Sequence, residues 1–148
     1  MIDKRHIGAL ISRHTVTVEA GRLRFFAKAT GQTDMRYVDE EAARKAGYLS
    51  LPVPPTFLFC LEMESPNPRA AVERLNIDIG RILHGEQQFS YHRMTFAGER
   101  LTFETSIADI YEKKGGALEF VVRKTRVTGA RDDDLVADLR SVIVVRNG

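Results

Sequence analysis

Few residues of this chain can move a proton at neutral pH, and their spacing limits what they can do together. Four histidines stand at His6, His14, His84 and His92, and one cysteine at Cys60. His84 and His92 flank Glu86, and an imidazole beside a carboxylate is the pairing used in general acid–base catalysis. Against that use, His92 falls on the polar face of an alternating Phe89–Ser90–Tyr91–His92 stretch, while His6 and His14 lie in an N-terminal segment without pattern. Asp34, in the run Gly31–Gln32–Thr33–Asp34, is a second candidate acid or base; aspartate in such a turn also serves by accepting from backbone N–H groups. No two histidines share a helix face one turn apart, and no Cys/His spacing suits zinc, so neither a metal nor a bound cofactor is expected. Cys60 sits in an apolar stretch with no base beside it and reads as a small core residue.

The elements that must position these groups change period midway along the chain. After an extended piece at Thr15–Val18, Leu23, Phe26, Ala27 and Thr30 recur at helical spacing, and Gly31 follows where a terminal glycine would end a helix over about 19–30. Asp39 precedes Glu40–Glu41 and a basic Arg44–Lys45 end, the charge order a helix dipole favours, with Gly47 behind it. A third helix opens at Pro54–Pro55 and runs through Thr56, Phe57, Leu58, Phe59, Cys60, Leu61, Glu62 and Met63, apolar on every side for two turns. A helix with no polar face must be surrounded. From about Ile82 the period becomes two. Strands follow around Phe89 and Tyr91, over Leu101–Ile107, over Leu118–Val122 with Leu118, Phe120 and Val122 on one face, and over Leu135–Val145, separated by turns at Gly98, Gly115–Gly116 and Gly129–Asp134. Helices first and an antiparallel meander after argue for an α+β chain and against a doubly wound nucleotide-binding fold. The arrangement expected is an antiparallel sheet of about five strands wrapped around the buried apolar helix, the hot-dog arrangement, with an overhanging helical segment.

The bulk properties agree and exclude other classes. The chain has 148 residues, the size of a single domain (1–148) able to bury about 70% of the surface its unfolded form exposes. With 22 Lys and Arg against 20 Asp and Glu, the formal net charge of +2 is too small for a nucleic-acid footprint or a membrane-surface patch. One cysteine makes no internal disulfide, and no apolar run approaches a membrane span or a signal peptide. A soluble cytoplasmic protein is expected.

Three stretches resemble the MaoC-like hydratases and dehydratases, and within them the N-terminal, fatty-acid-synthase-like dehydratase half and the non-catalytic subunits of mycobacterial (3R)-hydroxyacyl-carrier-protein dehydratases. They are Phe25–Gly31 followed by Asp39–Tyr48; Pro52–Phe57; and His84–Arg93 continuing through Ala97–Leu101 and ending at Val136–Ser141. The resemblance implies a substrate that is an acyl thioester of coenzyme A or acyl carrier protein, and a reaction that adds or removes water across the 2,3-double bond. Active members carry Gly-Asp-x-Asn-Pro-(Leu/Ile)-His after the first helix, its Asp and His holding the water and moving the α-proton. The corresponding run here is Gly31–Gln32–Thr33–Asp34–Met35–Arg36–Tyr37, which places Gln32 at the Asp position and Tyr37 at the His position. An amide accepts no proton at neutral pH, and a phenol with a pKa of about 10 is a poor base. A glycine N–H at the head of the buried helix serves as oxyanion hole in active members; Pro55 stands there and has no N–H. Such a donor is worth about 10²- to 10³-fold in rate.

The resemblance therefore implies a substrate-binding and stabilising half, with Gln32, Tyr37, Pro55, Thr56 and Phe57 as the substrate-contacting set and no assigned catalytic residue. Helix residues Phe57, Phe59 and Met63 are core first and channel lining second. A self-sufficient homodimeric hydratase using Asp34, Tyr37 or His84 is the alternative, and a hot-dog thioesterase the weaker one, since fold does not fix function. In each case the open edge of the sheet calls for a partner, a second copy by default or a catalytic MaoC-like subunit.

Overall fold

The computed structural model describes residues 1–147. Its centre is one antiparallel sheet of five strands: β1 (Leu10–Thr17), β2 (Ile82–Tyr91), β3 (Arg100–Lys113), β4 (Leu118–Gly129) and β5 (Leu135–Arg146), in the order β1-β3-β4-β5-β2. Helices α1 (Ala20–Ala29), α2 (Glu40–Lys45), α3 (Phe57–Glu62) and α4 (Ala70–Arg74) all lie in the long connection between β1 and β2. This α+β plan is the hot-dog arrangement expected from the sequence. Phe57, Leu58 and Leu61 of α3 pack in one cluster with Leu101 and Phe103 of β3, Val127 of β4 and Leu139 of β5. Each fully buried leucine there contributes about 1.5–3 kcal/mol.

Local rules explain most element ends. Asp39 caps α2 by accepting from the Ala42 N–H at 2.7 Å, and the helix surface carries Glu40–Arg44 (3.1 Å) and Glu41–Lys45 (2.8 Å) pairs one turn apart. Helix α1 turns Leu23 and Ala27 inward and gives way at Thr30 to Gly31, whose φ of 69° an ordinary residue adopts only at a cost.

Four features depart from the sequence expectation. Strand β1 begins at Leu10 rather than Thr15, so His14 lies inside the sheet: its ring stacks on Phe103 and its Nε2 is 3.1 Å from the Leu61 carbonyl oxygen. Helix α3 starts at Phe57, not at Pro54–Pro55, because Thr56 stands in the left-handed region and breaks the helical run; the Phe57 N–H closes a turn onto the Pro54 carbonyl instead. Helix α4 was not foreseen after the proline-rich Ser65–Arg69. In β4 Val121, Val122 and Val127 are buried, while Leu118 and Phe120, on the expected inner face with Val122, are only half-buried, Phe120 stacking on Tyr111. Burial does not alternate cleanly there, since the neighbours Val121 and Val122 are both buried, and Phe120 finds its apolar partner in Tyr111 of the neighbouring strand.

One buried polar ladder crosses this core. Glu62, at the end of α3, is 8% exposed, and its Oε1 accepts from the Thr125 hydroxyl at 2.5 Å; Thr125 in turn lies 2.8 Å from the Thr105 hydroxyl.

Candidate functional site

A cavity of about 320 Å³ opens at the head of α3. Three segments converge on it: the end of β2 with its following loop (Tyr91, His92, Arg93, Met94), the Val53–Leu58 lead into α3, and Tyr37 from beyond α1. Val53, Pro55, Leu58 and Met94 make its apolar wall, and the two phenols, His92 and Arg93 supply its polar groups. Such a mixture of apolar wall and a few placed polar groups is what a small-molecule site requires.

Tyr37 is carried there by a single 3-10 turn, Met35–Tyr37, whose cap comes from the residues just before it. The Asp34 carboxylate accepts from the Arg36 N–H at 3.0 Å and pairs with the Arg36 guanidinium, while the Gln32 amide oxygen accepts from the Asp34 N–H at 3.0 Å. The Arg36 hydrogen bond holds the Asp34 carboxyl below the usual carboxylate range. Gln32 and Asp34 are thus engaged in shaping the turn, and neither lines the cavity.

The head of α3 is unusual. Pro55 brings no N–H. Thr56 has φ 73° and ψ −17°, a conformation that costs a β-branched residue about 1–3 kcal/mol, and its N–H donates to the Tyr91 hydroxyl oxygen at 2.8 Å. Phe57 faces away from the cavity, 2% exposed, edge-on to Phe26 at 5.0 Å with the Arg22 guanidinium 5.6 Å from its ring centre. Leu58 takes the wall position instead.

The structure therefore brings Tyr37 and Pro55 to the cavity wall, joins Thr56 to it through the Tyr91 hydroxyl, and leaves Gln32, Asp34 and Phe57 outside. His84 is also remote from it, lying opposite Ile143 in the sheet, its ring 6.3 Å edge-on from Phe59; Glu86, its sequence neighbour, pairs with Arg140 at 2.7 Å. His92, which sequence reasoning weighed and set aside, and Tyr91, which it did not single out, do reach the cavity. His92 donates from Nε2 to Asp138 at 2.8 Å, and Tyr91 contacts the helix head. Arg93 beside them is fixed by Glu99 at 2.9 Å and by Asp134. The signal for Tyr91 and His92 lay in their place where β2 runs out, beside the Thr95–Val53 backbone pairing that draws the helix lead against the strand end. Among the described residues no cluster of His, Cys, Asp and Glu has metal-holding geometry.

Comparison with known proteins identifies the fold and the family. Residues 5–139 match the FAS1-like dehydratase domain region. The chain is 39% identical over 103 residues to the UPF0336 protein of Streptomyces griseus, covering 68% of this chain and 69% of that one. Among solved structures it is similar to a chain of the C-terminally truncated HadBC (3R-hydroxyacyl-ACP dehydratase) complex of Mycobacterium tuberculosis, with a TM-score of 0.74 and 27% identity over 88% of this chain and 90% of that one. It also overlays a MaoC-like dehydratase of Phytophthora capsici with a TM-score of 0.80 at 20% identity, covering 99% of this chain but 50% of that one. The five-stranded sheet and the helix against it are the hot-dog fold that these dehydratases share, and the chain belongs to the FAS1-like dehydratase family.

Proposed function

We propose that the chain is the acyl-thioester-binding subunit of an (R)-specific enoyl hydratase or 3-hydroxyacyl dehydratase, and that a partner hot-dog subunit supplies the acid–base residues. The observation that carries this reading is the pair of dyad positions: Gln32, turned back onto its own backbone turn, and Tyr37, a phenol in the cavity wall. Pro55 supports it by removing the donor amide at the helix head. The match of the whole chain to half of a longer MaoC-like dehydratase supports a working unit of two hot dogs. So does the similarity to a chain of the HadBC complex. The substrate is an acyl-CoA or acyl carrier protein thioester whose acyl part lies against Val53, Leu58 and Met94. No helix among the described residues is long and apolar enough to cross a membrane.

The test is hydration of crotonyl-CoA. The folded chain alone is expected to turn over slowly or not at all, and co-expression with a chain carrying Gly-Asp-x-Asn-Pro-x-His is expected to restore activity. Turnover by the isolated chain at the rate of active hydratases would overturn the reading.

One observation favours a second reading, a self-sufficient homodimeric hydratase. His92 reaches the cavity with its imidazole oriented by Asp138, the arrangement of a general base and its positioning carboxylate. If the isolated chain is active, His92→Ala abolishes that activity under this reading, whereas loss on substituting Asp34 or His84 would point to those residues instead.

A further inference from the structure

We infer that the Tyr91 hydroxyl is the group that recognises the thioester carbonyl in this subunit. The inference rests on the thioester-binding reading above and adds the atom that does the binding. Two backbone positions stand at the head of α3. Pro55 has no hydrogen to give, and the Thr56 N–H is already donated to the Tyr91 oxygen at 2.8 Å. Neither amide is free to meet a ligand directly.

Tyr91 is placed to pass that donation on. Its oxygen receives the Thr56 hydrogen, and its own O–H has no acceptor among the described residues. A hydroxyl that accepts a hydrogen bond becomes a better donor, because each bond in a chain polarises the next. The ring is held by stacking on Phe89, with centroids 5.9 Å apart and planes 3° from parallel. At 47% exposed, Tyr91 is also open to a ligand entering the cavity it lines.

The other polar groups are otherwise committed: His92 Nε2 to Asp138, and Arg93 to Glu99 and Asp134. Tyr37 has no comparable tether. What remains at the helix head is one oriented, neutral O–H donor beside an apolar wall. A neutral carbonyl oxygen carried on an aliphatic chain fits that arrangement, and an anion does not require it. The left-handed Thr56 fits the same account, since its strained backbone aims the N–H at Tyr91.

The experiment compares two probes on the full chain: butyryl-CoA, and the thioether S-butyl-CoA, which lacks only the carbonyl oxygen. Calorimetry is expected to give about 3- to 10-fold tighter binding of the thioester, the span of one net neutral hydrogen bond. Infrared difference spectra of carbonyl-¹³C butyryl-CoA should show its stretch lowered on binding. Tyr91→Phe, which keeps the ring and its stack, is expected to abolish both the preference and the shift while leaving thioether affinity unchanged. Tighter thioester binding by Tyr91→Phe would mean that Tyr91 only covers the Thr56 amide, and it overturns the inference. Equal affinity of the wild type for both probes also overturns it, as does loss of the preference in Tyr37→Phe but not in Tyr91→Phe. Should Tyr91→Phe fail to fold, an unshifted wild-type carbonyl stretch overturns it by itself. Absence of binding to either probe overturns the thioester-binding reading and the inference with it, an outcome distinct from the others.

Discussion

Asp34 illustrates how a side chain that looks chemical becomes structural. It sits two positions past Gln32, where a displaced base could stand, yet both its oxygens face Arg36 and its own N–H is held by Gln32. With its folded pKa depressed, Asp34 contributes stability at any pH above the unfolded value of about 3.9, and that contribution is lost as pH falls through the folded value. The difference in melting temperature between wild type and Asp34→Asn should therefore stay constant from pH 8 to about 5 and shrink only below about 4. A difference that changes between pH 6 and 8 would show that Asp34 titrates where a catalytic base does. At this scale the sequence was partly legible. Of the positions that the family resemblance singled out, Tyr37 and Pro55 do stand in the cavity wall, whereas Gln32 is turned onto its own backbone turn. Tyr91 and Leu58 were not legible, because their roles depend on a strand end meeting a helix head that lies far from it in the chain.

Among the elements, α3 shows both what patterning reveals and where it fails. Its apolar run predicts a buried helix, and the core contains one. The run also hides Glu62, the charged residue of the helix, because the hydroxyl that meets its Oε1 comes from Thr125 of β4, itself bonded to Thr105 of β3, while its Oε2 has no partner among the described residues. Thr125 donates to Glu62 and accepts from Thr105, so the ladder ties helix to sheet at a point where the apolar packing alone would allow sliding. Replacing Thr125 by Val keeps the shape and removes the donor, leaving both Glu62 carboxyl oxygens without a partner. The expected loss is about 1–3 kcal/mol in urea unfolding, with an unchanged m-value. Thr105→Val should cost less, since Glu62 keeps its direct partner. Equal small effects from both would mean that water, not the ladder, solvates Glu62. Strand phase was the weaker reading: in β4 Val122 is buried as alternation predicts, but so is its neighbour Val121, while Phe120 is half-buried and stacks on Tyr111, and only the pairing of strands tells these places apart.

At the scale of the whole molecule the sheet has two unequal edges. On β1 the chain bulges between Leu10 and Ser12, and Arg74 of α4 donates to the Leu10 carbonyl at 3.2 Å, so helix and bulge blunt that edge. Among the described residues β2 pairs with β5 alone and no helix side chain covers its backbone, and Leu83 and Tyr91 stand 49% and 47% exposed along it, much as Leu10 does on β1 at 51%. An exposed strand with apolar side chains invites a further strand, and joining a second hot dog there would place the cavity at the end of β2 against the junction between units. Under the proposed function, a partner's catalytic side chains would then reach the cavity from across that junction. The purified chain is accordingly expected to sediment as a dimer through β2. Leu83→Lys, a charge placed on that edge, should give a folded monomer by sedimentation equilibrium with an unchanged circular dichroism spectrum, whereas Leu10→Lys on the β1 edge should leave the dimer intact. A monomeric Leu10→Lys beside a dimeric Leu83→Lys would move the interface to the opposite edge, away from the cavity, and would remove the route by which a second subunit completes the site.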